Sequence, residues 1–278
     1  VQVIGPPALH RARRAIVACR DCARLRAYCE TIATTKRRAY LEDAYWGRPV
    51  PGYGDPAARL FVLGLAPAAH GANRTGRVFT GDGRGGSGDF LMGALHRAGL
   101  ANIPTSQSAG DGLTLRGVFV GAAARCAPPD NKPTPEEVAT CRRHLAAEIA
   151  ALPELRVMIA LGKIAWDAWL SFVGGQAPLR PRPAFAHGAV ARLATADAPG
   201  PERLVLVGCF HPSRQNTHTG RVTPAMYDAL FAYASELAGC VPARDSGLKA
   251  GARGPGRLGG TRDSGLFNRT RTQHERSE

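Results

Sequence analysis

Short, unbroken apolar runs alternate with longer amphipathic stretches along the middle of the chain. Arg59 to Leu65, Leu115 to Ala123, Val157 to Leu161 and Leu204 to Val207 are too short for helices, and their continuous apolar character suits strands buried on both faces. Between them, apolar residues recur with helical spacing over Ile16 to Thr35, Asp89 to Gly99, Thr134 to Leu152, Lys163 to Phe172 and Pro224 to Ala238. Thr134-Pro135-Glu136-Glu137 is the clearest helix start: a capping Thr, Pro in the first turn and Glu137 at the capping-box position. Trp46 to Pro56, dense in Pro and Gly, and the Gly-rich stretch Ala66 to Gly88 read as loops. Strands alternating with helices predict an α/β fold with a parallel sheet between helical layers. Ligands of such sheets bind beyond the carboxyl ends of the strands.

This pattern fills residues 15–242, read as one domain. Residues 1–14 are a basic, Pro-containing lead-in, expected to be flexible. Residues 243–278 are rich in Gly, Arg, Ser and Thr, and Asp245-Ser246-Gly247-Leu248 recurs as Asp263-Ser264-Gly265-Leu266; a disordered basic tail is expected. No apolar run is long enough to cross a bilayer, and the first residues lack the charged and apolar regions of a secretory signal. A cytoplasmic, nucleoid-associated monomer without a membrane partner is the expectation. Lys and Arg outnumber Asp and Glu by 36 to 22, a net charge of +14, which favours a polyanionic partner. The abundance of Arg, Ala, Gly and Pro over Lys is also what a GC-rich genome produces, so charge alone does not decide.

Seven cysteines in a chain read as intracellular point to ligands or core residues before disulfides. Cys19-Arg20-Asp21-Cys22 lets two thiolates reach one centre, and Cys126 and Cys141 supply two more. Four thiolates suit an iron–sulfur cluster or a zinc ion, and unconnected core cysteines are the alternative. Cys29, Cys209 and Cys240 lie in or beside apolar segments and read as core packing.

Three stretches carry candidate chemistry. Gly64-Leu65-Ala66-Pro67-Ala68-Ala69-His70-Gly71-Ala72-Asn73-Arg74-Thr75-Gly76-Arg77-Val78-Phe79-Thr80-Gly81-Asp82 follows the first strand. Arg125-Cys126-Ala127-Pro128-Pro129-Asp130-Asn131-Lys132-Pro133-Thr134-Pro135 follows the second, and Cys209-Phe210-His211-Pro212-Ser213-Arg214-Gln215-Asn216 the fourth. Together they resemble family-5, or type B, uracil-DNA glycosylases, the iron–sulfur branch of that superfamily, over roughly Ala18 to Gly239. The resemblance implies a three-layer α/β sandwich with a four-stranded parallel sheet. It implies a structural [4Fe–4S] cluster on Cys19, Cys22, Cys126 and Cys141. It also implies monofunctional excision of uracil, hypoxanthine, xanthine and ethenocytosine from DNA, the first step of base excision repair.

Hydrolysis of a deoxyuridine N-glycosidic bond requires an everted base, a stabilised base anion and a water at the sugar carbon. Phe79 is the candidate platform for the base, and backbone amides of the Ala66-Pro67-Ala68 turn are candidate partners for a uracil carbonyl. The resemblance places His211 beside the pyrimidine oxygen that gains charge as the bond breaks, where a fixed donor stabilises the transition state. Many superfamily relatives carry an acidic or amide side chain at the second or third position of the first motif, where this chain has Leu65 and Ala66. A uracil-reading Asn of related families would fall near Ala122. Asp82 and Asn131 are therefore the candidates for water positioning, and a less discriminating pocket is expected. Ser213 stands where the family grips a phosphate, Arg214 and Gln215 on the loop that enters the minor groove, and Asn73, Arg74, Arg77, Lys132 and Arg221 are candidate phosphate neighbours. His70, His96, His144, His187 and His218 are read as surface or loop residues. A non-catalytic iron–sulfur nucleic-acid-binding module would share the cysteines and the charge but leaves Phe79 and His211 unexplained. A phosphate-binding enzyme built on Gly81 to Gly88 lacks the Gly-Lys-Ser/Thr ending.

Overall fold

The computed structural model describes residues 7–81, 83, 85–174, 181–192 and 204–239; the expected tail, Asp82 and Cys240 lie outside them. Among the described residues, six strands form one sheet: β1 (Tyr53–Gly54), β2 (Leu60–Gly64), β3 (Val118–Ala122), β4 (Val157–Leu161), β5 (Val190–Arg192) and β6 (Val205–Cys209). Their order is β1-β3-β2-β4-β6-β5. The four expected strands are the parallel centre, and antiparallel β1 and β5 pair with its two edges, so the sheet is mixed rather than purely parallel. Two- and three-residue edge strands carry too little periodic pattern to be read from sequence.

Every residue of β2, β3 and β4 is buried. Alternate side chains divide between two cores, as the period of two requires. Leu60, Val62, Val120, Ile159 and Val207 pack with Leu91 and Leu95 of α4 (Ser87–Arg97) and with Tyr227 and Phe231 of α8 (Pro224–Leu237). Phe61, Leu63, Phe119, Met158 and Leu206 pack with Leu145 and Ile149 of α5 (Pro135–Ala150) and with Trp166 and Trp169 of α6 (Lys163–Val173). Each such aliphatic side chain contributes roughly 1.5–3 kcal/mol on burial. Thr134 and Glu137 form the expected capping box at the start of α5.

The register aligns Leu60 with Val118 and Val157, and Val157 with Val205. The parallel strands therefore end level, at Gly64, Ala122, Leu161 and Cys209. β2 leads to neighbours on both sides, β3 and β4, so strand order reverses there, the usual place for a crevice.

The amino-terminal region departs from expectation. The lead-in is helical from Pro7, and the single helix expected over Ile16 to Thr35 is two, α1 (Pro7–Val17) and α2 (Ala23–Thr35). Leu9, Ala12 and Ile16 form an apolar stripe under the basic residues of α1; Ala12 and Ile16 are buried, and Leu9 packs on the α5–α6 core. The break carries Cys19 and Cys22, with Cys22 at the N-cap of α2.

Candidate active site

Loops leaving the level ends of the four parallel strands enclose a cleft of about 840 Å³. Ala66, Ala68 and Phe79 reach it from the loop after β2, Ala122 and Asn131 from β3 onward, Leu161 and Gly162 from β4, and His211 from β6. Pro67 is buried behind the cleft wall. Phe79 takes a left-handed backbone conformation, φ 52°, which is costly for an aromatic residue and turns the chain sharply there. Two glycines make room for it. A Cβ on Gly64 would lie 2.8 Å from the Phe79 ring, and one on Gly88 would lie 2.3 Å from its carbonyl oxygen.

His211 faces Phe79 across the cleft, their ring centroids 6.2 Å apart and their planes 35° from parallel. Its own segment is held on three sides. The Phe210 N–H donates to His187 Nδ1 at 3.2 Å, and the Tyr227 hydroxyl donates to the Phe210 carbonyl at 2.7 Å. Asn216 Nδ2 donates to the His211 carbonyl at 2.8 Å. With Nδ1 of His187 accepting, its proton sits on Nε2, 3.4 Å from the Met226 carbonyl. Burial holds both His187 and His211 below the usual histidine pKa, so both are neutral at pH 7. A neutral imidazole offering one N–H and an aromatic face thus meet in one apolar cleft at the strand ends.

The comparisons with known proteins agree with that geometry. Residues 51–235 match the Uracil DNA glycosylase superfamily. The type-5 uracil-DNA glycosylase of Mycobacterium tuberculosis is 49% identical over 225 residues, 81% of this chain and 80% of its own. That of Thermus thermophilus is 49% identical over 224 residues, 81% of this chain and 95% of its own. That of Pyrobaculum aerophilum is 42% identical over 226 residues, 81% and 92%. The chain belongs to the type-5 uracil-DNA glycosylase family.

Three of the residues expected at phosphates in this type-5 chain serve the loop instead. Asn73 is fully buried, and its Nδ2 donates to the Cys29 carbonyl at 3.3 Å. Arg74 pairs with Asp43, donates to the Gly81 carbonyl at 2.8 Å and stacks 4.0 Å from the Tyr40 ring centroid. Arg77, also buried, binds Thr80, Ser106 and Asp111, the last at 2.6 Å. Burial raises the Asp111 carboxyl, but Arg77 and the backbone N–H groups of Leu113, Gln107 and Ser108 outweigh it and hold it at about 2. These bonds brace the loop that presents Phe79. A sequence reader sees basic residues beside a motif, and only packing tells a brace from a DNA contact.

Ser213 is the N-cap of α7 (Arg214–His218), its Oγ accepting from the Asn216 N–H at 3.3 Å. Arg214 and Gln215 are exposed on that turn, and Arg214 lines the cleft, as does Arg221, whose guanidinium lies 5.0 Å from the Phe210 ring centroid. Asn131 is exposed at the rim and, like Asp130, has a positive φ, 55° and 52°. Paired left-handed residues outside glycine mark a strained turn of the kind that collects at functional sites.

The four expected ligand cysteines converge from three elements: the α1–α2 break, the turn after β3, and α5. Burial, together with nearby Cys141, Cys126, Glu137 and Cys19, pushes the Cys22 thiol up to about 12. Cys29 is buried in the same small apolar cluster as Cys126, in keeping with core packing, and Cys209 is buried in the α4–α8 core.

Replacing Phe79 with alanine removes a stacking face worth about 1–3 kcal/mol per base, so kcat/KM on uracil-containing DNA should fall roughly 5- to 150-fold. Steady-state kinetics on one oligonucleotide checks this; an unchanged value removes Phe79 from base binding.

Proposed function

We propose that this chain is a monofunctional DNA glycosylase that hydrolyses the N-glycosidic bond of uracil in DNA and so initiates base excision repair. The observation that carries the reading is the opposition of Phe79 and His211 across one cleft. An everted uracil stacks on Phe79. The His211 N–H then points to a base carbonyl, where negative charge grows as the bond to the sugar breaks. A fixed neutral donor in an apolar cleft stabilises that charge without reorganising. Asn131, at the rim, orients water or base, and Asp82 positions the water. Ser213, with its hydroxyl proton still to donate, grips a phosphate, and Arg214 and Gln215 hold the duplex open. Among the described residues no helix is long and apolar enough to cross a membrane.

Breadth follows from the lining. Leu65, Ala66 and Ala122 place apolar surface where a discriminating pocket places hydrogen-bonding side chains. Duplexes carrying uracil, hypoxanthine, xanthine or ethenocytosine, treated with the protein and then with alkali, should break at the uracil and at the deaminated purines. Breakage at uracil alone contradicts the open pocket, and breakage at none contradicts the glycosylase reading.

We also propose that Cys19, Cys22, Cys126 and Cys141 hold a structural [4Fe–4S] cluster. Cys126 and Cys141 are buried and Cys19 and Cys22 half-buried, and burial with the neighbouring thiols pushes the Cys22 thiol up, a cost that a cationic centre would offset. Two arginines at the site carry buried donors with no partner: Nε and Nη1 of Arg26 and of Arg125. Arg143 Nη2 lies 3.4 Å from Cys19 Sγ. A cluster held by these four cysteines would supply positive charge to their thiolates, and the guanidinium donors of Arg26 and Arg125 would be available to it. Purified protein should be brown and contain iron and sulfide in equal amounts, and Cys126→Ser should lose both colour and iron. Colourless, zinc-containing protein refutes the assignment.

A further inference from the structure

A second concavity, of about 950 Å³, lies between α1, the α1–α2 break and the segment before β1. Arg13, Arg14, Arg20 and Arg48 line it, with Tyr45 and Trp46 on its wall. Its lone acid, Glu30, is already engaged by the buried Arg26 at 2.7 Å and reaches Arg20 only at 3.8 Å. Arg13, Arg14 and Arg48 have no ion-pair partner among the described residues; Arg48 lies 5.8 Å from the Trp46 ring centroid. Gathering four like charges in one concave surface costs folding energy through mutual repulsion, and a polyanion relieves that cost. Aromatic walls beside arginines are what a nucleic-acid strand uses for stacking and phosphate pairing.

The concavity adjoins the catalytic cleft through one short element, α3 (Ala72–Thr75). On one side of this turn the Trp46 N–H donates to the Arg74 carbonyl at 2.9 Å, and Tyr45 Oη lies 3.0 Å from His70 Nδ1. A Cβ on Gly76 would lie 2.9 Å from the Trp46 ring, so indole and turn are in direct contact. On the other side Ala72, Val78 and Phe79 line the cleft. A helix with its side chains is about 10–12 Å across. At about 3.4 Å of rise per nucleotide along one strand, that is some three to four nucleotides.

We infer that this arginine- and aromatic-lined groove is a second DNA site, which binds the phosphates of the strand flanking the everted nucleotide a few positions away. The inference rests on the glycosylase reading for its substrate. The groove adds affinity for extended DNA and leaves the chemical step unchanged.

The test compares the full chain with its R13Q/R14Q/R48Q variant on two uracil-containing oligonucleotides. One ends a nucleotide or two either side of the uracil, and the other extends well beyond the reach of the groove. For the long substrate, kcat/KM should fall about tenfold or more at low salt, with kcat unchanged, and its dependence on log salt should become shallower by about 2–3, at 0.7–0.9 per lost phosphate contact. The short substrate should show no change. Equal losses on both lengths, or no loss on either, overturn the second site. Binding of an undamaged long oligonucleotide, followed by fluorescence anisotropy over a salt series, reads the groove without catalysis. If wild type excises nothing yet the variant still loses salt-dependent affinity, the glycosylase reading fails and the groove stands.

Discussion

Replacing His211 with alanine is expected to lower the single-turnover rate of uracil excision by about 10² to 10³-fold, or about 2.7–4 kcal/mol, the usual cost of one preorganised donor at a developing anion. The Phe210 N–H still donates to His187 in the variant, and Tyr227 and Asn216 still donate to the Phe210 and residue-211 carbonyls, so the loop keeps its place. The loss should therefore fall on the chemical step, with DNA affinity nearly intact. His211→Asn, which keeps a donor, should recover part of the rate. The wild-type pH profile is a second check. Because burial lowers the His211 pKa from 6.5, the ring is neutral at and above pH 7, and the rate governed by it should be level there. It should change only as the pH falls below 6.5 through the lowered value. The same sign applies to stability: the neutral ring's contribution is complete above the unfolded pKa and is lost as pH falls through the folded one. An alanine variant with full single-turnover activity would remove His211 from catalysis.

Glu148→Ala should be the most damaging substitution for stability. Glu148 Oε2 lies 2.8 Å from Arg125 Nη2 with both side chains buried, and Oε1 accepts the Gly52 N–H at 2.8 Å. The pair ties α5 to the turn after β3 and to the segment entering β1. Removing the acid leaves a buried guanidinium uncompensated, at a cost of about 3–5 kcal/mol. For a domain of this size Tm should fall by roughly 6–20 °C, measurable by thermal unfolding. Arg125→Met combined with Glu148→Leu should be closer to wild type than Glu148→Ala alone, because no isolated charge remains. A Tm within a degree or two of wild type for Glu148→Ala would mean that water reaches the pair.

Neither residue stands out in the sequence. Arg125 reads as one more basic residue beside a cysteine, and Glu148 as one more acid on an amphipathic helix. Their pairing spans twenty-three positions and exists only once α5 packs on the sheet. His187 is a similar case: it reads as a loop histidine, yet it fixes the peptide before His211 from the neighbouring segment that leads into β5. Asn73, Arg74 and Arg77 err in the other direction. Their place in the motif suggests DNA, whereas their side chains bind Cys29, Asp43 and Asp111, far away in sequence. The helix of the lead-in is hidden for a simpler reason: the stripe Leu9, Ala12 and Ile16 is interrupted by arginines that dominate its composition.

What the sequence alone determined was everything set by local pattern: the four central strands, the capping box of α5, the parallel α/β layering, and the motifs at the ends of β2, β3 and β6. Those are properties of neighbouring residues and of hydrophobic period. Tertiary structure alone decided which polar groups face the cleft and which brace it, that α1 is part of the domain, and that Phe79 and His211 stand 6.2 Å apart. The physical reason is that burial and partner choice are set by contacts between distant segments, and a charged side chain looks the same in sequence whether it meets solvent, DNA or a buried counter-ion.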